Sequence, residues 1–304
     1  MWSILELIRA PHPVMAAIAA VTGAIVSARL MHVAIHVPAA LIAIWIPALI
    51  VSSSHAINDY FDINVDIKNE RFDRPLARGA LRPKIVRNLS ICGFLSGVIL
   101  CALLDLFLYH LGGILTLICA LLSLLSFSYS AGLKKHGTVG NLIVAQSYAS
   151  PYLLGAYVLI AITNSHPSET VIATISCLGF MAFFLGWGRE IIKDIQDIEG
   201  DIAQTLPRKV GKKVAAQISV LLLSFALLLS PLPLLLAFKN NLAYLIFGMF
   251  MDIAIIYLGY IMLKSQDVTT ARRGRMLSRN IVVIGCITFL FASLTQGGSL
   301  EFSF

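Results

Sequence analysis

The sequence predicts an all-α polytopic membrane protein with nine transmembrane helices, and three observations carry that expectation. The 304-residue chain is 58% hydrophobic, only 13% charged and has a mean hydropathy of +0.84, a balance that excludes an ordinary soluble domain. Its apolar residues gather into stretches near the roughly 20 residues that cross a bilayer. Its basic residues fall almost entirely on one side of those stretches, as the positive-inside rule requires.

Taken in order, Met1–Arg9 reads as a short amphipathic lead-in at the membrane surface. The stretch carries Glu6 and Arg9 and lacks a small-residue cleavage site, so no cleavable signal peptide is expected. Pro11 and Pro13 open the first span, at 12–31. The others read as 38–60, 88–109, 112–131, 138–162, 170–193, 214–234, 241–264 and 279–296. Pro47 and Pro151 fall inside spans, where kinks are tolerated if neighbours satisfy the freed backbone groups. Gly93 and Gly97 form a G-x-x-x-G pair suited to close helix packing. The five cysteines lie in apolar segments without C-x-x-C spacing, and so read as packing residues.

Arg9, seven basic residues from Lys68 to Arg87, Lys134 and Lys135, six from Arg189 to Lys213 and five from Lys264 to Arg279 share one side. Only Arg29 and Lys239 fall on the other. This parity needs an odd number of spans, in agreement with nine, and assigns the basic side to the cytoplasm. The net charge of +7 thereby has a topological explanation, and no nucleic-acid partner is expected.

Two acidic motifs close apolar runs on that side. Asn58-Asp59-Tyr60-Phe61-Asp62-Ile63-Asn64-Val65-Asp66 places Asn58, Asp62 and Asp66 at i, i+4 and i+8, one face of a helix. Asp194, Asp197 and Asp201 repeat D-x-x-D-x-x-x-D, each 135 positions after Asp59, Asp62 and Asp66. Glu190 extends this second stripe. The offset suggests two related four-helix halves, about 1–135 and 136–270, plus a ninth helix at about 279–296. Crowded carboxylates repel one another and are costly near a membrane. A hard divalent cation relieves the repulsion, and Mg²⁺ characteristically joins carboxylates to substrate phosphates.

Each motif runs into a basic, proline-bearing loop: Arg71, Arg74 and Arg78 around Pro75, then Arg208, Lys209, Lys212 and Lys213 after Pro207. Acids for a metal beside bases for an anion suit a diphosphate. A diphosphate worked on at a membrane points to an isoprenoid donor, with its tail among helices or lipid. A cation transporter is the alternative from another class, but it favours acids at mid-bilayer in broken helices. His55, one turn before Asp59, suits Mg²⁺ poorly as a ligand and reads as a hydrogen-bonded packing residue. Asp105 and Asp252 read as polar packing, and Arg272, Arg273 and Arg275 as topology signals.

The two motifs together resemble those of the UbiA superfamily of intramembrane prenyltransferases, N-D-x-x-D-x-x-x-D and D-x-x-D-x-x-x-D, and the likeness covers essentially the whole chain. Within it the chain is most similar to archaeal digeranylgeranylglyceryl phosphate synthases, through Asn58–Asp62, Arg74-Pro-Leu-Ala-Arg-Gly79 and Gly188–Asp194. The resemblance implies Mg²⁺-dependent transfer of a prenyl group, geranylgeranyl, from its diphosphate to geranylgeranylglyceryl phosphate in ether-lipid synthesis. It implies a catalytic set of Asn58, Asp59, Asp62, Asp66, Asp194, Asp197 and Asp201, of which Asp62, Asp66, Asp194, Asp197 and Asp201 bind metal. Arg71, Arg74, Arg78, Lys134, Arg189 and Lys193 are then the diphosphate ligands, and Arg208, Lys209, Lys212 and Lys213 candidates for the acceptor's phosphate. Tyr129, Ser130, Lys134, Gly140 and Asn141 match a further family segment. Members acting on aromatic acceptors often carry Arg where this chain has Ile63, so an aromatic acceptor or a tetrapyrrole is the alternative within the enzyme class. The expected partners are the diphosphate donor, a lipophilic acceptor and membrane lipids.

Overall fold

The computed structural model describes residues 2–108, 112–163, 166–198, 204–297 and 300–303. Among them, nine helices are long and apolar enough to cross a membrane. The helices in chain order are α1 (Trp2–Leu7), α2 (Pro11–Met31), α3 (Val37–Lys68), α4 (Pro83–Ala102), α5 (Ile114–Ala131), α6 (Thr138–Thr163), α7 (Glu169–Gln196), α8 (Leu206–Val210), α9 (Lys212–Leu229), α10 (Pro231–Leu236), α11 (Leu242–Lys264) and α12 (Val268–Thr295). A parallel pairing of β1 (Ile35–His36) with β2 (Phe302–Ser303) is a small departure from the all-α expectation, announced by no periodicity.

The chain divides into two units. The first comprises residues 1–18 and 37–133, the second 19–36 and 134–304. In the first, α3, α4 and α5 pack on one another. The glycine pair of α4 serves this packing as expected: a Cβ on Gly93 would lie 2.1 Å from Ser53 Oγ of α3. In the second, α7 packs against α6, α9 and α12, and α11 packs against α9 and α12. The later part of α2 lies along α6 at backbone contact; a Cβ on Gly155 would sit 1.8 Å from the Ala20 carbonyl oxygen.

Several boundaries differ from the hydropathy reading. Helix α3 continues past residue 60 to Lys68, so the whole first motif is helical. Helix α12 begins at 268 rather than 279. Its first turns are basic and poor in apolar residues, but Asp267 caps them by accepting the Thr270 N–H at 2.8 Å, and Ala271, Gly274 and Ser278 are buried. Arg272, Arg273, Arg275 and Arg279 therefore stand on a helix, not in a loop. The span read at 214–234 is two helices, α9 and α10, meeting at Ser230-Pro231, because a proline cannot donate to the preceding turn. Helix α4 runs into a π-helical turn, Leu103–Leu108.

Asp105 and Asp252 behave as polar packing residues. Asp105 accepts both the N–H and the hydroxyl of Thr116 on the first turn of α5 (2.8 and 2.9 Å), and Asp252 accepts from Ser230 at the α9–α10 break (2.8 Å).

Candidate active site

In the first unit, the acidic end of α3 is enclosed by two chain segments outside that helix. Asp59 and Asp66 are buried and Asp62 half-buried. Asn58, one turn before Asp62, donates its amide to Asp62 Oδ2 at 2.9 Å. Phe72–Ala80 turns back along the helix and brings Arg74 to Asp59 in a direct hydrogen bond, with its Nη1 3.6 Å from Asp66 Oδ2. Arg71 Nη1 lies 3.7 Å from Asp66 Oδ1. The loop holds this course because Leu76 is buried with Leu7, Ala56 and Val86, anchoring it on the apolar side of the acids.

The second segment is the N-terminal one, and its part was missed by the sequence reading. Arg9 donates from Nη2 to Asp59 at 2.8 Å, while Glu6 of α1 pairs with Arg78. Burial, with the neighbouring Arg74 cation, pulls the Arg9 guanidinium below its ordinary value, and Asp59 opposes that shift. Glu6 and Arg9 stood out as charges in an apolar lead-in, which was the available signal. Asp59 thus faces two guanidiniums, whereas Arg78, expected beside Arg71 and Arg74, is engaged with Glu6. His55 lies edge-on to His12, ring centroids 4.8 Å apart.

The second acidic end, in the second unit, is built differently. Arg189, Glu190 and Asp194 are buried on α7. Arg189 bonds Glu190, and Lys193 Nζ lies 3.1 Å from Glu190 Oε2. Both bases expected to bind diphosphate therefore flank this acid. Asp194 accepts the amide of Asn141, on the first turn of α6, at 2.8 Å. Asp197, the C-cap of α7, is half-buried, with Arg275 of α12 3.9 Å away; Arg275 also reaches Gln196 Oε1 at 3.5 Å. Residue type and position alone had marked Arg275 only as a topology signal. Arg208 caps the end of α7 by donating to the Ile198 carbonyl at 2.7 Å. Lys209 and Lys213 are exposed; Lys212 and Lys134 are half-buried. Asp201 lies outside the described residues.

Tyr129 is half-buried in the last turn of α5, and Ser130 is buried there, its hydroxyl bonded to the Ser126 carbonyl at 3.2 Å. Among the described residues, no three His, Cys, Asp or Glu side chains converge into a metal centre. The donors at both acidic ends are hard carboxylate and amide oxygens, the chemistry that suits Mg²⁺.

Residues 13–281 match the model of the UbiA prenyltransferase family. The chain is 31% identical to the digeranylgeranylglyceryl phosphate synthase of Thermococcus kodakarensis over 96% of its own length and 98% of that protein's. A solved structure described under digeranylgeranylglyceryl phosphate synthase in membranes is 26% identical, with a TM-score of 0.70 over 96% of this chain and 98% of that one. The fold also matches a UbiA homolog from Archaeoglobus fulgidus bound to DMAPP and Mg²⁺ (15% identity, TM-score 0.56, covering 94% and 99%). The sequence and the fold agree: this chain belongs to the UbiA prenyltransferase family and is a membrane-embedded prenyltransferase.

Proposed function

We propose that this enzyme transfers a geranylgeranyl group from geranylgeranyl diphosphate to the free hydroxyl of geranylgeranylglyceryl phosphate, at the cytoplasmic face of the membrane. Its relatives' activity supports the acceptor, and the positive-inside parity of the basic residues supports the orientation. The observation that carries the chemistry is the packing of buried Asp59 and Asp66 against Arg71 and Arg74. Asp66, a proposed metal ligand, and two cations suited to phosphate meet there at the end of α3.

Asp62, Asp66, Asp194, Asp197 and Asp201 would hold Mg²⁺, which supplies positive charge to the diphosphate oxygens as the allylic C–O bond breaks. Arg71 and Arg74 stabilise the departing diphosphate with charge-assisted hydrogen bonds, joined by Lys134, Arg189 and Lys193. Arg78, paired with Glu6, orders the loop that carries Arg74 and reaches the diphosphate after leaving that pair. The aliphatic hydroxyl is a weak nucleophile, so the donor is largely ionised before it attacks. Water must be excluded from that allylic cation, a task for the loops following the two motifs. Arg208, Lys209, Lys212 and Lys213 receive the acceptor's phosphate. The two motifs then correspond as equivalent elements of two related halves, with the ninth helix added.

Product analysis tests the reading. Purified protein with Mg²⁺ and geranylgeranyl diphosphate is offered geranylgeranylglyceryl phosphate, 4-hydroxybenzoate and a naphthoate. The digeranylgeranyl ether is the expected product; prenylated aromatic product with no ether would refute the acceptor and leave the prenyltransferase chemistry standing.

A further inference from the structure

Helix α7 carries aromatic side chains on the same face as its acids. Phe180, Phe183, Trp187, Glu190 and Asp194 recur at alternating intervals of three and four residues, so they share one side of the helix. Two of the helices that pack on α7 close on its glycines instead. A Cβ on Gly179 would lie 3.4 Å from Leu153 of α6, one on Gly186 2.5 Å from Tyr148 of α6, and one on Gly188 3.1 Å from Leu223 of α9. The aromatic side chains stand between those seams: Phe180 is 56% exposed, and Phe183 and Trp187 are half-buried.

Trp187 differs from the two phenylalanines in its polar atom. Its ring meets Phe183 with centroids 5.6 Å apart, edge to face, and its indole Nε1 is buried with no hydrogen-bond partner among the described residues. A buried indole N–H ordinarily finds an acceptor, and an orphan of this kind in a native fold marks a place that packing alone does not account for. Along the axis, Trp187 lies about 10 Å inside Asp194, toward the middle of the span. A metal ion joining a carboxylate to diphosphate occupies that interval. The carbon that parts from diphosphate, C1 of the prenyl chain, then comes to the level of the indole. Phe183 and Phe180 continue for about another 10 Å in the direction the chain must take.

We propose that Trp187 is a catalytic residue of the prenyl transfer, its indole face set against the allylic cation. The proposal rests on the prenyl-transfer reading above. The C1–O bond breaks with its electron pair leaving on diphosphate; the acceptor hydroxyl oxygen then bonds to C1, and its proton passes to the released diphosphate. Between these events the allylic charge needs a partner that is neither a nucleophile nor a base, because either would end the reaction early. A π face meets both conditions: its quadrupole attracts a cation, and tryptophan does so best of the aromatic side chains. Being apolar, it also keeps water from the cation on that side.

The test separates charge from shape, since fluorination drains the negative face of an indole and changes its size little. Trp2 and Trp45, 78% and 61% exposed, are replaced by Phe, which leaves Trp187 as the one tryptophan of the chain. Fluoro-, difluoro- and tetrafluorotryptophan are then incorporated. Single-turnover release of pyrophosphate from geranylgeranyl diphosphate is measured with the glycerol ether acceptor present. The rate should fall with each added fluorine, reaching a loss of about thirty-fold in the tetrafluoro protein, the equivalent of about 2 kcal/mol. Affinity for geranylgeranyl thiolodiphosphate, an unreactive donor analogue that forms no cation, should not change. Trp187→Phe and Trp187→Leu in the wild-type background, expected to slow turnover in that order at unchanged analogue affinity, decide the matter should the loss of Trp2 or Trp45 impair the protein. A constant rate across the series, or a rate that falls only as far as analogue affinity does, would overturn the proposal. Absence of pyrophosphate release from the wild type would instead overturn the prenyl-transfer reading on which it stands.

Discussion

The two acidic ends share a spacing and differ in which elements supply the partners of their acids. On α3, the acids meet arginines from outside the helix: Arg9 from the N-terminal segment, Arg71 and Arg74 from the following loop. On α7, the compensating charges on Glu190 come from its own helix neighbours, and Asp194 is met by an amide from α6. One end is organised by a loop, the other by helix packing. Two of the cations at the first end, Arg71 and Arg74, are also the groups proposed to receive diphosphate. There, on the proposed reading, substrate and metal binding would be an exchange of partners, the carboxylates turning to Mg²⁺ as the arginines turn to phosphate. At the second end Asp194 accepts the amide of Asn141, and Asp197 lies 3.9 Å from Arg275 of α12. The same linear motif is therefore held by different elements at its two occurrences.

The largest effect expected is metal removal. EDTA should abolish turnover and excess Mg²⁺ should restore it, because a bound metal supplies several kcal/mol of transition-state charge stabilisation and each 1.36 kcal/mol is tenfold in rate. Activity that persists in EDTA would remove the shared role of the two ends.

Loss of Arg74 should come next and should separate the two ends in stability. Arg74→Met leaves buried Asp59 and Asp66 short of a cation, and breaking a buried pair in this way costs about 3–5 kcal/mol. Lys193→Met should cost less, since Glu190 retains Arg189. Equal losses of stability on denaturation would contradict the distinction.

A smaller effect is expected from the bases beyond α7. Replacing Arg208 and Lys209 together by Gln should raise KM for geranylgeranylglyceryl phosphate more than for the diphosphate donor, about ten-fold for 1.4 kcal/mol of lost binding. Loss of uniform binding to one substrate has that kinetic signature.

Smallest of all, single cysteines at Arg87 or Arg273 should leave activity unchanged and be labelled from the cytoplasmic side. Cysteines at His166 or Lys239 should be labelled from the other side. Cys92 is exposed and must be replaced first. A mixed pattern would contradict the orientation.

Much of the fold was legible because membrane spans obey a length and a polarity rule that a single sequence displays. The start of α12 was hidden because its first turns carry Arg272, Arg273 and Arg275, which hydropathy scores as loop, while the Asp267 cap is a local signal outweighed by that charge. The acids themselves were readable from spacing. Their partners were not: Arg9 is 50 residues from Asp59 and Asn141 is 53 from Asp194. No periodicity within one helix encodes a contact made by another. Glu6 taking Arg78 is the same case.

The most direct test of two differently held ends serving one reaction is Mg²⁺-dependent release of pyrophosphate from geranylgeranyl diphosphate in the presence of the glycerol ether acceptor. It is measured for the wild type, Asp66→Ala and Asp194→Ala, each shown to be folded by its melting transition. Each substitution alone should lower the rate by about a thousand-fold, the equivalent of roughly 4 kcal/mol. A wild-type rate in either variant would show that one acidic end suffices, and would contradict the account.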